Sequence, residues 1–136
     1  MDSLYDELEK ADIIVSSLPG SKSTYHLLGE EALTHVKKQP IFVNVGRGTL
    51  IDSNILEIAL KENIFSGAYI DVTDPEPLPK ASNLWNTNNL IITPHVTGGY
   101  HLDETLNRII QISATNIKNY CEGKEIMNKV NHVQFI

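Results

Sequence analysis

Short apolar runs alternate with amphipathic stretches along the 136-residue chain. The apolar runs are nearly continuous in aliphatic residues, as strands buried on both faces of a parallel sheet should be. They cover residues 13–17, 41–45, 68–72 and 90–93. The stretches between them have helical spacing, and this alternation is typical of βαβ units. The pattern therefore predicts an α/β fold built on a parallel sheet of four strands.

Residues that start and stop helices flank the amphipathic stretches. Ser3, with Asp6 at the capping-box position, predicts the start of a first helix. Asp52 predicts the cap of a later helix that buries an apolar face formed by Ile55, Leu56, Ala59 and Leu60. Residues 73–82 contain three prolines, so this segment is predicted to be a loop.

The last long helix is predicted over residues 102–121, with Gly123 as its terminator. Its apolar face is predicted at Leu106, Ile109, Ile110, Ile117 and Tyr120. Cys121 falls in the same stripe, where a buried thiol is predicted rather than a nucleophile.

The composition limits the partners. With a formal net charge of −6 at pH 7 the chain has no excess of basic residues to neutralise phosphates, so a nucleic-acid partner is excluded and a small molecule is favoured. A single cysteine cannot form an internal disulfide, and the spacing of the histidines predicts no metal site. No apolar run approaches the roughly 18–20 residues of a membrane span, and the N-terminus is acidic. A cytoplasmic location is therefore expected.

Polar residues follow three of the predicted strands. Arg47 comes after the second strand, Asp71 and then Glu76 come at and after the end of the third, and His95 follows the fourth. Because ligands of open parallel sheets bind outside the carboxyl ends of the strands, we expect these side chains to share one edge.

The chemistry of these residue types suits a small organic acid. An arginine fork matches a carboxylate bidentately, so Arg47 can hold the acid. His95 can exchange a proton with a substrate oxygen at neutral pH, and Glu76 can orient the imidazole. Taken singly, each could instead be an ordinary loop residue; their convergence on one edge favours the functional interpretation. Gly46 and Gly48 let the backbone approach a ligand closely, although turn geometry alone would also explain them.

Four segments then carry a family resemblance. They are ADIIVSSLPGSKSTYHL at 11–27, FVNVGRGTLID at 42–52, GAYIDVTDPEPLP at 67–79 and NLIITPHVTGG at 89–99. In this order and spacing the chain resembles the C-terminal part of the NAD-binding domain of the D-isomer-specific 2-hydroxyacid dehydrogenases.

The resemblance implies roles for individual residues. Arg47 would bind the carboxylate and carbonyl of the substrate, His95 would be the acid/base, and Glu76 would assist it. NAD or NADP would be the cofactor, with Asp71 holding the nicotinamide amide and Gly98 lying against the ring. The cofactor contacts implied in total are Leu18, Pro19, Thr24, Val45, Gly46, Arg47, Asp71, His95 and Gly98.

Part of the family's domain has no counterpart in the sequence. The first strand, the G-x-G-x-x-G turn, the second strand and the substrate domain are missing. We therefore expect an incomplete Rossmann-like, doubly wound sheet, with residues 1–123 as a partial NAD(P)-binding domain and 124–136 as a tail resembling the return segment to the substrate domain.

The missing strands also lead to expectations about stability and binding. In the strand order 3-2-1-4-5-6 they are expected between 13–17 and 41–45, which would leave a gap in the centre of the sheet and a marginally stable or aggregating chain. Without the glycine-rich turn, we expect the isolated chain to bind NAD(H) weakly and to show no measurable turnover.

Three interpretations of function stay open at this point. The first is an NAD(P)-dependent oxidoreductase interconverting 2-hydroxy and 2-keto acids, in which the full-length relative is expected to be a homodimer. The second is a non-catalytic, nucleotide-sensing module of the corepressor type, and the third is an inactive remnant. The combination of Arg47, Glu76 and His95 favours the enzyme, because a pure binder has no need of all three. His101 is a further candidate for a substrate-facing position.

Overall fold

The computed structural model describes residues 2–99 and 102–129. Four parallel strands form one sheet, β1 (Ile13–Ser16), β2 (Ile41–Asn44), β3 (Gly67–Ile70) and β4 (Leu90–Ile92). Each strand coincides with a predicted apolar run, so the predicted α/β fold with a four-stranded parallel sheet is confirmed. His101 and residues 130–136, on which two of the predictions fall, lie outside the described residues.

The described residues contain four α-helices. They are α1 (Asp2–Leu8), α2 (Glu30–Thr34), α3 (Ser53–Lys61) and α4 (Asp103–Cys121), with short 3-10 helices at Gly48–Leu50 and Asn83–Asn86. Asp52 caps α3 as predicted, since its carboxylate accepts hydrogen bonds from the backbone N–H groups of Asn54 and Ile55. The cap predicted at Ser3 is wrong, because α1 already begins at Asp2 and Ser3 is a helical residue.

The strand order differs from the expectation. The sheet runs β1-β2-β3-β4 without interruption, and β1 pairs directly with β2 through the register Ile13 to Ile41. The predicted gap in the centre of the sheet is therefore wrong. This order matches the half of a doubly wound sheet in which successive strands are neighbours, so any further strands of such a sheet would lie beyond β1.

One face of the sheet forms the core. Phe42 is fully buried and stacks on Phe65 with the ring centroids 5.0 Å apart. Ala68 and Ile70 of β3 are buried on the same face, together with Leu56 of α3. Parallel crossovers are right-handed, and when the strand order runs in one direction this places the connecting helices on one side.

The opposite face of the sheet is largely uncovered. Side chains alternate between the faces of a strand, and the members of this second face are exposed where the first face is buried. They include Ile13, Val15, Ile41 and Ile91, which are between 48% and 65% exposed. Marginal stability stays a prediction, but its structural reason is now the open apolar face of the sheet rather than an internal gap.

The chain divides into two compact units, residues 1–95 and residues 96–136. In the second unit α4 spans the predicted helix, and Gly123 after it has a φ of 68°, as a helix terminator should. None of the α4 residues is buried, and its five predicted apolar positions are all exposed. Cys121 is exposed as well, so the predicted buried thiol is wrong. No helix among the described residues is long and apolar enough to cross a membrane.

Candidate functional site

The candidate site lies where β3 and β4 end, within the first unit. Hydrogen bonds between backbones continue past both strands, because Asp71 N–H donates to Asn44 (2.9 Å) and Thr93 N–H donates to Ile70 (3.0 Å). The N–H of His95 then donates to the carbonyl oxygen of Asp71 at 2.9 Å. The backbone thus sets Asp71, Thr93 and His95 at one sheet edge, and two of the three, Asp71 and His95, were predicted there.

Glu76 and His95 form a close pair at this edge. The Nδ1 atom of His95 lies 2.7 Å from Oε1 of Glu76. An ionised carboxylate only accepts hydrogen bonds, so Nδ1 is the donor, and Nε2 is the ring nitrogen that can exchange a proton with a ligand. The two side chains are 43% and 41% exposed, so this pair is an orienting contact more than a source of stability.

The backbone of His95 is strained. Its φ of 53° lies in the left-handed region, which costs a residue other than glycine on the order of 1–3 kcal/mol. The donation from its N–H to Asp71 holds this conformation. Such strain at a polar strand end is a common feature of functional sites, and here it coincides with the residue predicted to be the acid/base.

A cavity of about 310 Å³ opens beside the pair. This volume is at the lower end of the range for small-molecule sites, so it suits a small metabolite or one end of a larger ligand. Much of its lining is apolar, including Leu78, Trp85 and Ile92, whereas Asp71, Glu76 and His95 supply its ionisable groups. The indole N–H of Trp85 donates to the carbonyl of Pro79 at 2.9 Å, which fixes one wall.

Asp71 is the buried polar group of this cavity, with 1% of its surface exposed. A carboxylate accepts hydrogen bonds and a carboxamide such as that of nicotinamide donates them. A buried acceptor among apolar walls therefore fits the nicotinamide end of a dinucleotide.

Arg47 lies outside this cavity. It follows β2 on the neighbouring strand end, its side chain is exposed, and its Nη1 donates to the carbonyl oxygen of the adjacent Gly46 at 2.7 Å. The aliphatic part of the side chain passes close to Gly20, where an added β-carbon would lie 3.5 Å from Cγ of Arg47. The structure therefore brings Glu76, His95 and Asp71 together and sets Arg47 at an adjoining position.

Gly46 and Gly48 lie where the backbone of the protein packs closely against itself. A β-carbon at Gly46 would lie 2.5 Å from the carbonyl oxygen of Leu18, and one at Gly48 would lie 2.1 Å from the carbonyl of Thr73. Both glycines therefore permit backbone segments of the protein itself to approach each other. The close approach is to the chain, and a ligand is not needed to explain either glycine.

The other predicted cofactor residues lie in three places. Leu18 and Pro19 are exposed after β1, and the hydroxyl of Thr24 closes their loop by donating to Pro19 (2.8 Å) while accepting from the N–H of Ser21 (2.9 Å). Val45 N–H donates to Ser16 at 2.9 Å and so aligns the ends of β1 and β2. Gly98 belongs to the second unit and has a φ of 81°.

The lining residues that were not predicted include Thr93, Leu78 and Trp85. A signal for Thr93 was present, because it lies at the end of a predicted strand two residues before His95. No comparable signal marks Leu78, which lies in the proline-containing loop, or Trp85, which lies in the 3-10 helix that follows this loop. Among the described residues, no three histidine, cysteine, aspartate or glutamate side chains are grouped as metal ligands.

Comparison with known proteins places the chain in one class. Residues 1–97 match the family described as D-isomer specific 2-hydroxyacid dehydrogenase, NAD binding domain. The chain belongs to this family. The cofactor of the domain is accordingly a nicotinamide dinucleotide.

Individual relatives agree with the family match. The chain is 36% identical over 124 residues to a glyoxylate reductase of Korarchaeum cryptofilum, covering 91% of this chain and 37% of that protein. It is 34% identical over 129 residues to glyoxylate/hydroxypyruvate reductase B of Yersinia pseudotuberculosis, covering 95% of this chain and 39% of that protein. A D-isomer specific 2-hydroxyacid dehydrogenase from Xanthobacter autotrophicus Py2, solved with NADPH and MES, superposes with a TM-score of 0.85 at 30% identity, covering 96% and 52%. The chain thus spans less than half the length of these two curated relatives.

Proposed function

We propose that this chain supplies the nicotinamide-facing part of an NAD(P)-dependent oxidoreductase that interconverts 2-hydroxy and 2-keto acids. The observation that carries the proposal is the hydrogen bond of 2.7 Å between Glu76 and His95 at the mouth of a cavity that also contains the buried Asp71. The names of the relatives favour small substrates such as glyoxylate or hydroxypyruvate.

His95 is the proton donor in the direction of reduction. Its Nε2 gives a proton to the oxygen at the second carbon of the substrate, and the imidazole receives that proton back in the reverse direction. Glu76 stabilises the imidazolium and holds the ring with Nε2 toward the substrate. When bound, the nicotinamide dinucleotide supplies or accepts the hydride.

Arg47 is the proposed carboxylate binder. Donation from Nη1 to Gly46 uses one donor of a guanidinium that has five, so the fork can still pair with an organic acid. Its exposed position after β2 suits a substrate that enters from outside the sheet edge.

The cofactor contacts proposed for the first unit follow the same edge. Asp71 accepts from the nicotinamide amide, and Val45 and Gly46 contribute backbone contacts to the cofactor. Leu18 and Pro19 pack against the dinucleotide, in a loop whose shape the Thr24 hydroxyl maintains. Gly98 remains a predicted contact of the nicotinamide ring.

The test uses a chimera, because the chain spans less than half of its relatives. Residues 2–129 replace the matching segment of the Korarchaeum glyoxylate reductase, and NADH oxidation is followed with glyoxylate and with hydroxypyruvate. His95→Asn is expected to lower kcat by about 100- to 10,000-fold, the usual contribution of a general acid. Asparagine tolerates the positive φ of this position, so the fold is preserved.

A matched control is available within the chain. His35 forms a second histidine and glutamate pair, with Nδ1 at 3.3 Å from Oε1 of Glu9, and it does not line the cavity. His35→Asn is expected to leave kcat unchanged. Equal losses in the two variants, or a chimera that binds NADH but reduces neither acid, would contradict the proposed function.

A further inference from the structure

Tyr69 and Thr93 lie next to Asp71 on one face of the sheet. Alternate residues of a strand share a face, so Tyr69 and Asp71 point to the same side. The register pairs Tyr69 with Ile91 and Ile70 with Ile92, so the next pair of residues along β3 and β4 is Asp71 and Thr93. The Tyr69 hydroxyl lies 2.8 Å from Oγ1 of Thr93, and the Thr93 hydroxyl makes a short hydrogen bond to Oδ1 of Asp71.

The direction of both hydrogen bonds follows from the donors available. Thr93 donates its single hydroxyl proton to the Asp71 carboxylate. Oγ1 of Thr93 can then only accept in the contact with Tyr69, so the phenol is the donor. Protons are therefore ordered in one sense along Tyr69, Thr93 and Asp71, and each hydrogen bond polarises the next.

This chain of hydrogen bonds ends at Asp71, which contributes both its carboxylate and its backbone carbonyl to the site. The carboxylate of Asp71 is buried among apolar walls, where its orientation depends on the donors that reach it. The carbonyl oxygen of the same residue accepts the N–H of His95 at 2.9 Å. A rotation of the Asp71 side chain would therefore change the lining of the cavity next to the acid/base residue.

We propose that Thr93 and Tyr69 are positioning residues that hold the Asp71 carboxylate in the orientation from which it receives the nicotinamide amide. This inference rests on the proposed function. Thr93 acts directly on the carboxylate, and Tyr69 acts through Thr93. The effects of removing the two hydroxyls are therefore expected to be graded.

The binding test compares NADH with ADP-ribose, which has the same diphosphate and adenosine but lacks nicotinamide. Dissociation constants are measured by NMR titration for the chimera that carries residues 2–129. Thr93→Val, which keeps the shape and removes the hydroxyl, is expected to weaken NADH binding about tenfold, the effect of losing one hydrogen bond to a charged group. Tyr69→Phe is expected to weaken it roughly threefold, since it removes a neutral hydrogen bond one step away. ADP-ribose binding is expected to be unchanged in both.

Two variants separate positioning from a general structural effect. Thr93→Ser restores the hydroxyl and is expected to restore NADH affinity. Thr87→Val removes a different threonine hydroxyl, one that donates to the carbonyl of Asn83 at 3.0 Å, and is expected to change neither constant. Provided that the wild type binds NADH more tightly than ADP-ribose, equal weakening of both ligands by Thr93→Val, or an unchanged NADH affinity, overturns the positioning role.

A nucleotide-free measurement distinguishes this inference from the proposed function. The carboxyl ¹³C resonance of Asp71 is recorded in the wild-type chain, in Thr93→Val and in Thr93→Ser. It is expected to move in the valine variant and to return in the serine variant. An unmoved resonance overturns the positioning role whatever the nucleotide results, whereas a moved resonance in a chain with equal affinity for NADH and ADP-ribose supports the hydrogen-bond chain and contradicts the nicotinamide function.

Discussion

Gly48 is the position where a single added methyl group should do most damage to the site. It is buried at the start of the 3-10 helix after β2, and a β-carbon there would lie 2.1 Å from both the carbonyl carbon and the carbonyl oxygen of Thr73. Ordinary contacts begin at 3.4 Å, so the two segments would have to separate by about 1.3 Å. Both clashing atoms are backbone, and neither can rotate away as a side chain would.

The expected cost of Gly48→Ala is near the upper end of the range for overpacking, about 3 kcal/mol. Gly67→Ala is the control, since its β-carbon would lie 3.4 Å from the carbonyl oxygen of Asn89, an ordinary contact, and its effect should be within about 1 kcal/mol. Urea unfolding can be followed by the fluorescence of the single tryptophan, Trp85. A difference of this size should lower the midpoint of Gly48→Ala by about 1 M or more.

Equal unfolding midpoints for the two alanine variants would refute this reasoning. Because residues 73–76 connect the clash to Glu76, Gly48→Ala is also expected to weaken the contact between Glu76 and His95. The imidazole ¹⁵N resonances of His95 should report that change.

Three further predictions concern stability. Asp52→Ala removes the cap of α3 and should lower the free energy of unfolding by about 1 kcal/mol, with Asp52→Asn close to wild type, by urea unfolding. Phe42→Ala should cost about 3–5 kcal/mol in the same assay, because Phe42 is fully buried against Phe65. The hydrogen bond from Lys61, and secondarily one from Asn83, lower the pKa of Glu57 in the folded protein. Its ionised form therefore stabilises the fold above the ordinary glutamate pKa of about 4.3, and this contribution is lost as the pH falls through the lower pKa of the folded state. The stability advantage of wild type over Glu57→Gln should therefore be constant near neutral pH and shrink below about pH 4.3; an advantage independent of pH would contradict this.

The strands and the main helices could be predicted because each depends on local sequence. Buried parallel strands need continuous apolar runs, and the four runs correspond to the four strands. Asp52 was recognised as a cap for the same reason, since the cap and the N–H groups it binds are within three residues. Exposure of the α4 apolar positions and of Cys121 was not predictable, because a periodic pattern shows which side chains share a face and not whether anything covers that face.

The strand order could not be read from the pattern either. Pairing of β1 with β2 depends on contacts between residues about 28 positions apart, such as Ile13 and Ile41, and every apolar run is equally able to pair with any other. The gap was expected because residues 13–17 were assigned to the half of the sheet on the other side of the missing strands. The uninterrupted order corrects it.

The candidate site was predictable in part. The rule that ligands bind at strand ends correctly brought Asp71, Glu76 and His95 together. The hydrogen-bond chain from Tyr69 through Thr93 was missed, since it depends on the register of β3 with β4. At Gly46 and Gly48 the sequence left a ligand and turn geometry open as reasons for the glycine, because a glycine indicates a tight space without showing what fills it, and the structure shows backbone of the chain itself close to both.

The central claim is that Glu76 fixes the His95 ring with Nε2 directed at the substrate. The most direct test is the ¹⁵N and ¹H NMR spectrum of the His95 imidazole at a pH where the ring is neutral. The structure requires the proton on Nδ1 and a bare Nε2, and Glu76→Ala should remove that preference. A wild-type spectrum with the proton on Nε2, or one that Glu76→Ala leaves unchanged, would contradict the account.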